Sequence, residues 1–181
     1  MITMTSKNKF VWNLIQLVCW LIFAGLCVQA GTLVFNYVYS LFRPIAAHNL
    51  DSGLNLAALY NQSLTLYSLL FSFLIGIAVL KAVTFYYVLR LFKVLKLVNP
   101  FTEEISKLLL KITYQACSVG ALCFLAQRFT QQLAHRGFDL QLVGRYWNDS
   151  AAYLMMSAIL FVVALIFRKG IELQQDNDLT V

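Results

Sequence analysis

Three adjoining stretches decide the fold: LTLYSLLFSFLIGIAVL at residues 64–80, KAVTFYYVLRLFKVLKLVNPFTEEISKLLLK at 81–111 and ITYQACSVGALCFLAQ at 112–127. Two uncharged apolar runs flank a segment that is basic, interrupted once and then restarted. About 20 apolar residues carry a helix across the hydrocarbon of a bilayer, so each flanking run reads as a membrane span. Lys81 closes the first run, with its amine expected to snorkel to the near interface. The helical pattern continues through 85–98, where Arg90, Lys93 and Lys96 make a basic amphipathic extension. Asn99-Pro100 stops it, because proline has no amide hydrogen and disfavours helical geometry in the residue before it. Thr102 then serves as an N-cap, and Glu103 and Glu104 fall in the first turn, where the helix dipole favours carboxylates. Glu103, Lys107 and Lys111 follow at four-residue spacing, the interval at which helix side chains pair.

Working outward, residues 10–42 form an earlier uncharged run behind Lys7 and Lys9, longer than one crossing needs and so tilted or projecting. A signal peptide cut near Val28-Gln29-Ala30 is the competing reading, but the apolar run continues past that point. A fourth run, 151–167, lies between Asp149-Ser150, a good helix start, and Arg168-Lys169. Residues 43–61 hold Pro44, His48, Asn49, Asp51, Gly53 and Asn55 and read as an exposed loop; 137–148 reads as a short polar loop, and 172–181 as a polar tail. The expected fold is all-α and polytopic, one domain over 1–181. Its four transmembrane helices (11–42, 62–89, 106–133, 150–169) form an antiparallel bundle, the second and third extending into the cytoplasm.

Composition agrees. Sixty per cent of residues are hydrophobic and 12% charged, against about a quarter charged in soluble domains, and mean hydropathy is +0.71. The net charge of +6 sits beside the apolar runs and not in a separate basic domain, so no direct nucleic-acid binding is expected. Lysine and arginine beside spans stay in the cytoplasm. Lys7, Lys9, Lys81, Arg90, Lys93, Lys96, Lys107, Lys111, Arg168 and Lys169 fall on one side, and Arg43, Arg128, Arg136 and Arg145 on the other. Both termini are therefore expected in the cytoplasm.

The chemistry-bearing patterns are sparse. There is no nucleotide-binding glycine loop, no HExxH, no GxSxG and no carboxylate pair inside a span, so no enzyme, metal or cofactor is expected and proton-coupled carriage is disfavoured. Cys19, Cys27, Cys117 and Cys123 lack ligand spacing and read as small core residues. Trp12, Trp20 and Trp147 read as interface anchors. Ser68, Ser72 and Gly76, and Ala116 with Gly120, recur at the spacing that lets helices approach closely, within one chain or in a homo-oligomer. Gln29, Thr32 and Asn36, and Gln115 with Ser118, call for hydrogen bonds between helices. Gln29, Asn36, Arg128 and Asp149 form a candidate outward-facing polar pocket. Asn99, Pro100, Phe101, Thr102 and Glu103, with Glu172, Asp176, Asn177, Asp178 and Leu179, form a candidate surface for a cytoplasmic partner.

Two of these stretches, NPFTEE at 99–104 and FRKGIELQQDNDLTV at 167–181, resemble the bacterial membrane family known as domain of unknown function 2975, and the likeness extends over the chain in length and four-helix layout. Gln175-Asp176 stands where that family often has an acidic pair. The resemblance implies an integral protein of the bacterial inner membrane, often encoded beside a small helix-turn-helix regulator, and implies no reaction. The functional expectation is a membrane-embedded interaction or sensor module engaging a cytoplasmic partner such as that regulator, with membrane lipids around it. The alternative is a small transporter or oligomeric channel.

Overall fold

A computed structural model describes residues 6–48, 50, 53–95 and 101–179, apart from the side chains of 6–9, 46 and 177–179. Five α-helices follow in order: α1 (Ser6–Phe42), α2 (Ala57–Gln62), α3 (Leu64–Val94), α4 (Glu103–Ala134) and α5 (Ser150–Leu179), with short 3-10 helices at Pro44–His48 and Gln141–Tyr146. Four of them, α1, α3, α4 and α5, are long and apolar enough to cross a membrane, and together they make a helical bundle. Among the described residues there is no strand, only an isolated bridge between Leu50 and Leu54.

The helices begin where local chemistry starts them. The Thr102 hydroxyl accepts the Ile105 N–H at 3.4 Å, and the Ser63 hydroxyl accepts that of Leu66 at 3.4 Å, each taking up a donor that the first turn leaves free. Lys107 donates to Glu103 at 2.8 Å one turn into α4.

The long helices pack as a row: α1 on α3, α3 on α4, and α4 on α5. Burial follows the order, with 44% of the most apolar stretch of α4 enclosed, 33% in α3, 11% in α5 and 6% in α1. Ring contacts and one ion pair mark where the first two pairs touch. Trp12 meets Phe92 at 5.2 Å between ring centroids and Tyr37 meets Phe71 at 5.2 Å. On the next pair Phe73 meets Phe129 at 5.6 Å, and Arg90 lies 3.8 Å from Glu104. Hydroxyls join α1 to α3: Tyr67 donates to Ser40 at 2.6 Å and Tyr37 to Ser68 at 3.1 Å. Elsewhere the hydroxyls turn back on their own helices. Thr32, Thr113, Ser118 and Thr130 each donate to the carbonyl four residues earlier, so Thr32 and Ser118 do not bridge helices as expected. Among the described residues the buried Gln115 side-chain oxygen has no hydrogen-bond partner.

The described parts of the segments read as polar loops are folded. Ala47, Leu50, Leu54, Leu56, Ala57 and Leu59 are buried, as are Leu140, Val143 and Trp147; together they close one end of the bundle over Leu70, Phe71 and Cys123. Trp147, expected at a membrane interface, is 1% exposed. Helix α5 continues to Leu179, through the stretch read as a polar tail, with Glu172 paired to Lys169 at 2.9 Å and Arg168 at 3.9 Å. These i,i+3 and i,i+4 pairs, among good helix formers, carry the helix beyond its apolar part.

Close approach of α4 and α5 depends on Gly120, where an added Cβ would lie 2.7 Å from the Leu154 side chain and 3.1 Å from its backbone nitrogen. Gly31, in α1, has open space around it. Gly120→Ala is therefore expected to lower stability by about 1–3 kcal/mol through overpacking against backbone that does not yield, and Gly31→Ala to leave it unchanged or slightly higher. Thermal melts of both variants in detergent check this; equal melting would contradict the tight α4–α5 contact.

Candidate functional site

The charged end of the bundle gathers much of the expected partner surface. Glu103 and Glu172 line one cleft of about 380 Å³ between α4 and α5, with Ser106, Lys107, Arg168 and Gln175. The residues come from segments far apart in sequence, and the α4–α5 contact brings them together. Phe101 packs on one side and is open on the other: its ring lies 5.3 Å from that of Phe167 and beside Gly170, where a Cβ would come within 2.6 Å of it, yet it stays 38% exposed. Thr102 is the α4 cap. Asp176 lies one turn beyond Glu172, exposed, on α5. Asn99 and Pro100 lie outside the described residues, as do the side chains of Asn177, Asp178 and Leu179.

The expected polar pocket is not assembled. Gln29 and Asn36 sit half-buried on α1, whose neighbour is α3. Arg128 lies back along its own helix, its guanidinium 5.1 Å from the Phe124 ring centre. Asp149 is exposed, and its backbone carbonyl receives the Tyr153 N–H at 3.1 Å in the first turn of α5. Two clefts do open at this end, of about 480 and 490 Å³, on either side of Asp139 and Leu140. Their walls are Gln127, Gln131, Gln141 and Asn148 on one side and His48, Asn55 and Asn61 on the other; none of the four expected residues contributes.

Lys81 is the residue whose place the sequence misjudges. It lies inside α3 and not at an end, and its amine donates to the Tyr146 carbonyl at 3.3 Å while resting 5.3 Å from the centre of the Tyr153 ring. Side chains on a helix lean toward its N-terminus, so Lys81 points along α3 toward the capped end, away from the basic end with which its charge was counted. A cation at this depth needs such partners. The signal was available in the sequence: a lysine flanked on both sides by long apolar runs, with tyrosines near the start of the last helix.

Lys81→Met keeps the bulk of the stem and removes a charged donor worth about 1.5–3 kcal/mol to its acceptor. It is expected to loosen the Gln141–Tyr146 segment over the core and to speed maleimide labelling of Cys123, which is fully buried. The measurement is made in a Cys19→Ser, Cys27→Ser, Cys117→Ser background. An unchanged labelling rate would mean that the lysine does not hold the cap.

No curated protein and no solved structure matches the chain. A family model does match, over residues 47–181, which include the capped end, α3, α4, the charged cleft and α5 and leave α1 before the matched region. The chain belongs to the family described as Protein of unknown function (DUF2975).

Proposed function

We propose that this is a multi-pass protein of the bacterial cytoplasmic membrane whose charged end faces the cytoplasm and docks a soluble partner, a small helix-turn-helix regulator being the kind the sequence resemblance implies. In this reading the four spans run antiparallel, both termini are cytoplasmic, and α3 and α4 extend beyond the bilayer. The opposed stepping of contacts from Trp12–Phe92 to Tyr37–Phe71 supports the antiparallel order. Arg90, Lys93, Lys107, Lys111, Arg168 and Lys169 gather at the charged end, and the retention of basic residues in the cytoplasm supports the orientation. Lys81 no longer adds to that tally, and the imbalance survives without it.

One observation carries the docking reading: Glu103 and Glu172 line a single cleft, on helix that continues past what a crossing requires. A largely apolar groove between two helices, bordered by charged and amide side chains, offers a partner apolar surface together with hydrogen-bonding groups already held on helices, which favours affinity. The sensor role is the same surface under control of the capped end, coupled through α3 and α4.

Crosslinking of the tagged protein in its native membrane, intact and truncated before Glu172, tests this. The intact chain is expected to capture a soluble regulator and the truncated chain to lose it, with Glu103→Gln plus Glu172→Gln weakening capture without loss of the folded bundle. Equal capture by all three forms, or none by any, would remove the basis for a docking role.

A further inference from the structure

Among the described residues, most basic side chains at the charged end have an acidic partner: Lys107 with Glu103 at 2.8 Å, Arg90 with Glu104 at 3.8 Å, and Lys169 and Arg168 with Glu172 at 2.9 and 3.9 Å. Lys93 and Lys111 have no ion pair among the described residues. Each instead rests its ammonium over a ring of the neighbouring helix, Lys93 over Trp20 of α1 at 5.7 Å and Lys111 over Tyr87 of α3 at 5.8 Å. Trp20, Phe23, Tyr86 and Tyr87 form one aromatic belt through their ring contacts. Aromatic belts of this kind mark the membrane–water boundary.

The helix lengths are consistent with that boundary. At 1.5 Å per residue, Trp20 to Phe42, Tyr87 back to Leu64 and Lys111 to Ala134 each rise roughly 33–35 Å, close to the thickness of about 30 Å of a bilayer's hydrocarbon. The two unpaired ammonium groups therefore lie where the apolar slab ends, at the depth of lipid phosphates.

Between α3 and α4 at this depth is a cleft of about 380 Å³ lined by Arg90, Glu103, Glu104, Lys107, Leu108 and Lys111. Three cations face two carboxylates there. Lys107 is held closely by Glu103, whereas the Arg90–Glu104 pair is long and both of its side chains are about half exposed, so the guanidinium is free to turn. Tyr114, one turn deeper on α4, is 63% exposed and continues the surface into the apolar zone. We infer that this cleft is a discrete site for one anionic phospholipid, whose headgroup phosphate is held by Lys111 and Arg90 and whose acyl chains lie along the α3–α4 surface beside Tyr114. A free phosphate would meet the same cations, but only a lipid also uses the depth of the cleft and the apolar surface below it.

Native mass spectrometry from nanodiscs of phosphatidylcholine with increasing phosphatidylglycerol tests the site, counting lipids retained per chain. One phosphatidylglycerol per chain is expected to survive in preference to phosphatidylcholine. Lys111→Gln and Arg90→Gln should each weaken retention about fivefold, the effect of one basic side chain at an anionic surface. Lys111→Arg should retain the lipid, and Glu104→Gln, which frees Arg90, should strengthen retention. Lys93→Gln removes an unpaired lysine of the same depth outside the cleft and should change little. Equal losses for Lys93→Gln and Lys111→Gln would overturn the proposal in favour of diffuse charge attraction. So would equal retention of the two lipids, or displacement of the bound lipid by millimolar glycerol phosphate.

Discussion

No water reaches the middle of a membrane to take up an unpaired amide or hydroxyl, and this constraint shapes the molecule more than any single contact. Each long helix satisfies its own backbone, and Thr32, Thr113, Ser118 and Thr130 satisfy their hydroxyls on the same helix. Such residues are thereby released from any need to meet a neighbour. Helix association is left to shape, as at Gly120 against Leu154, and to a few shared hydroxyls, as between Tyr67 and Ser40. Where packing among spans gains little from excluding apolar surface, close fit is what remains.

The same constraint explains the capped end. Lys81 brings a charge into α3 at a depth where it must be solvated by protein, and the Gln141–Tyr146 segment supplies a carbonyl while Tyr153 supplies a ring. The connection between α4 and α5 is thus drawn down over the core, burying Trp147 and Val143, instead of standing in water as a loop. Polarity and packing act together there: the lysine has partners because the segment folds in, and the segment folds in over an apolar core that reaches Leu70 and Phe71.

Much of this was legible in the sequence, and the failures have a common origin. Uncharged runs located the spans, and Thr102 and Asp149-Ser150 located helix starts, because these depend on residues near in sequence. Pairing of Glu103 with Lys107 was legible for the same reason. Residues 43–61 and 137–148 were not, because their buried leucines and Val143 are scattered among polar residues and show no period of their own. The polar set of Gln29, Asn36, Arg128 and Asp149 failed because facing the same end of a membrane does not make helices neighbours; α1 lies against α3, and Arg128 lies along α4. Lys81 failed because its charge was assigned to the nearer polar segment while its side chain leans the other way. The meeting of Glu103 with Glu172 depends on how α4 and α5 cross, which no local pattern states.

The row-like order of the helices also bears on how the chain is made. Helix α1 is made before its principal neighbour, α3, which is complete only at Val94. Throughout that interval of synthesis α1 lacks the helix that packs against it. Its freedom from charge between residues 10 and 42, and the return of the Thr32 hydroxyl to its own helix at 2.9 Å, suit a segment made before the helix that packs on it. Helix α5, by contrast, is born beside a finished α4. A nascent chain at that stage already holds the surface on which α5 will settle, and Gly120 is waiting there for Leu154.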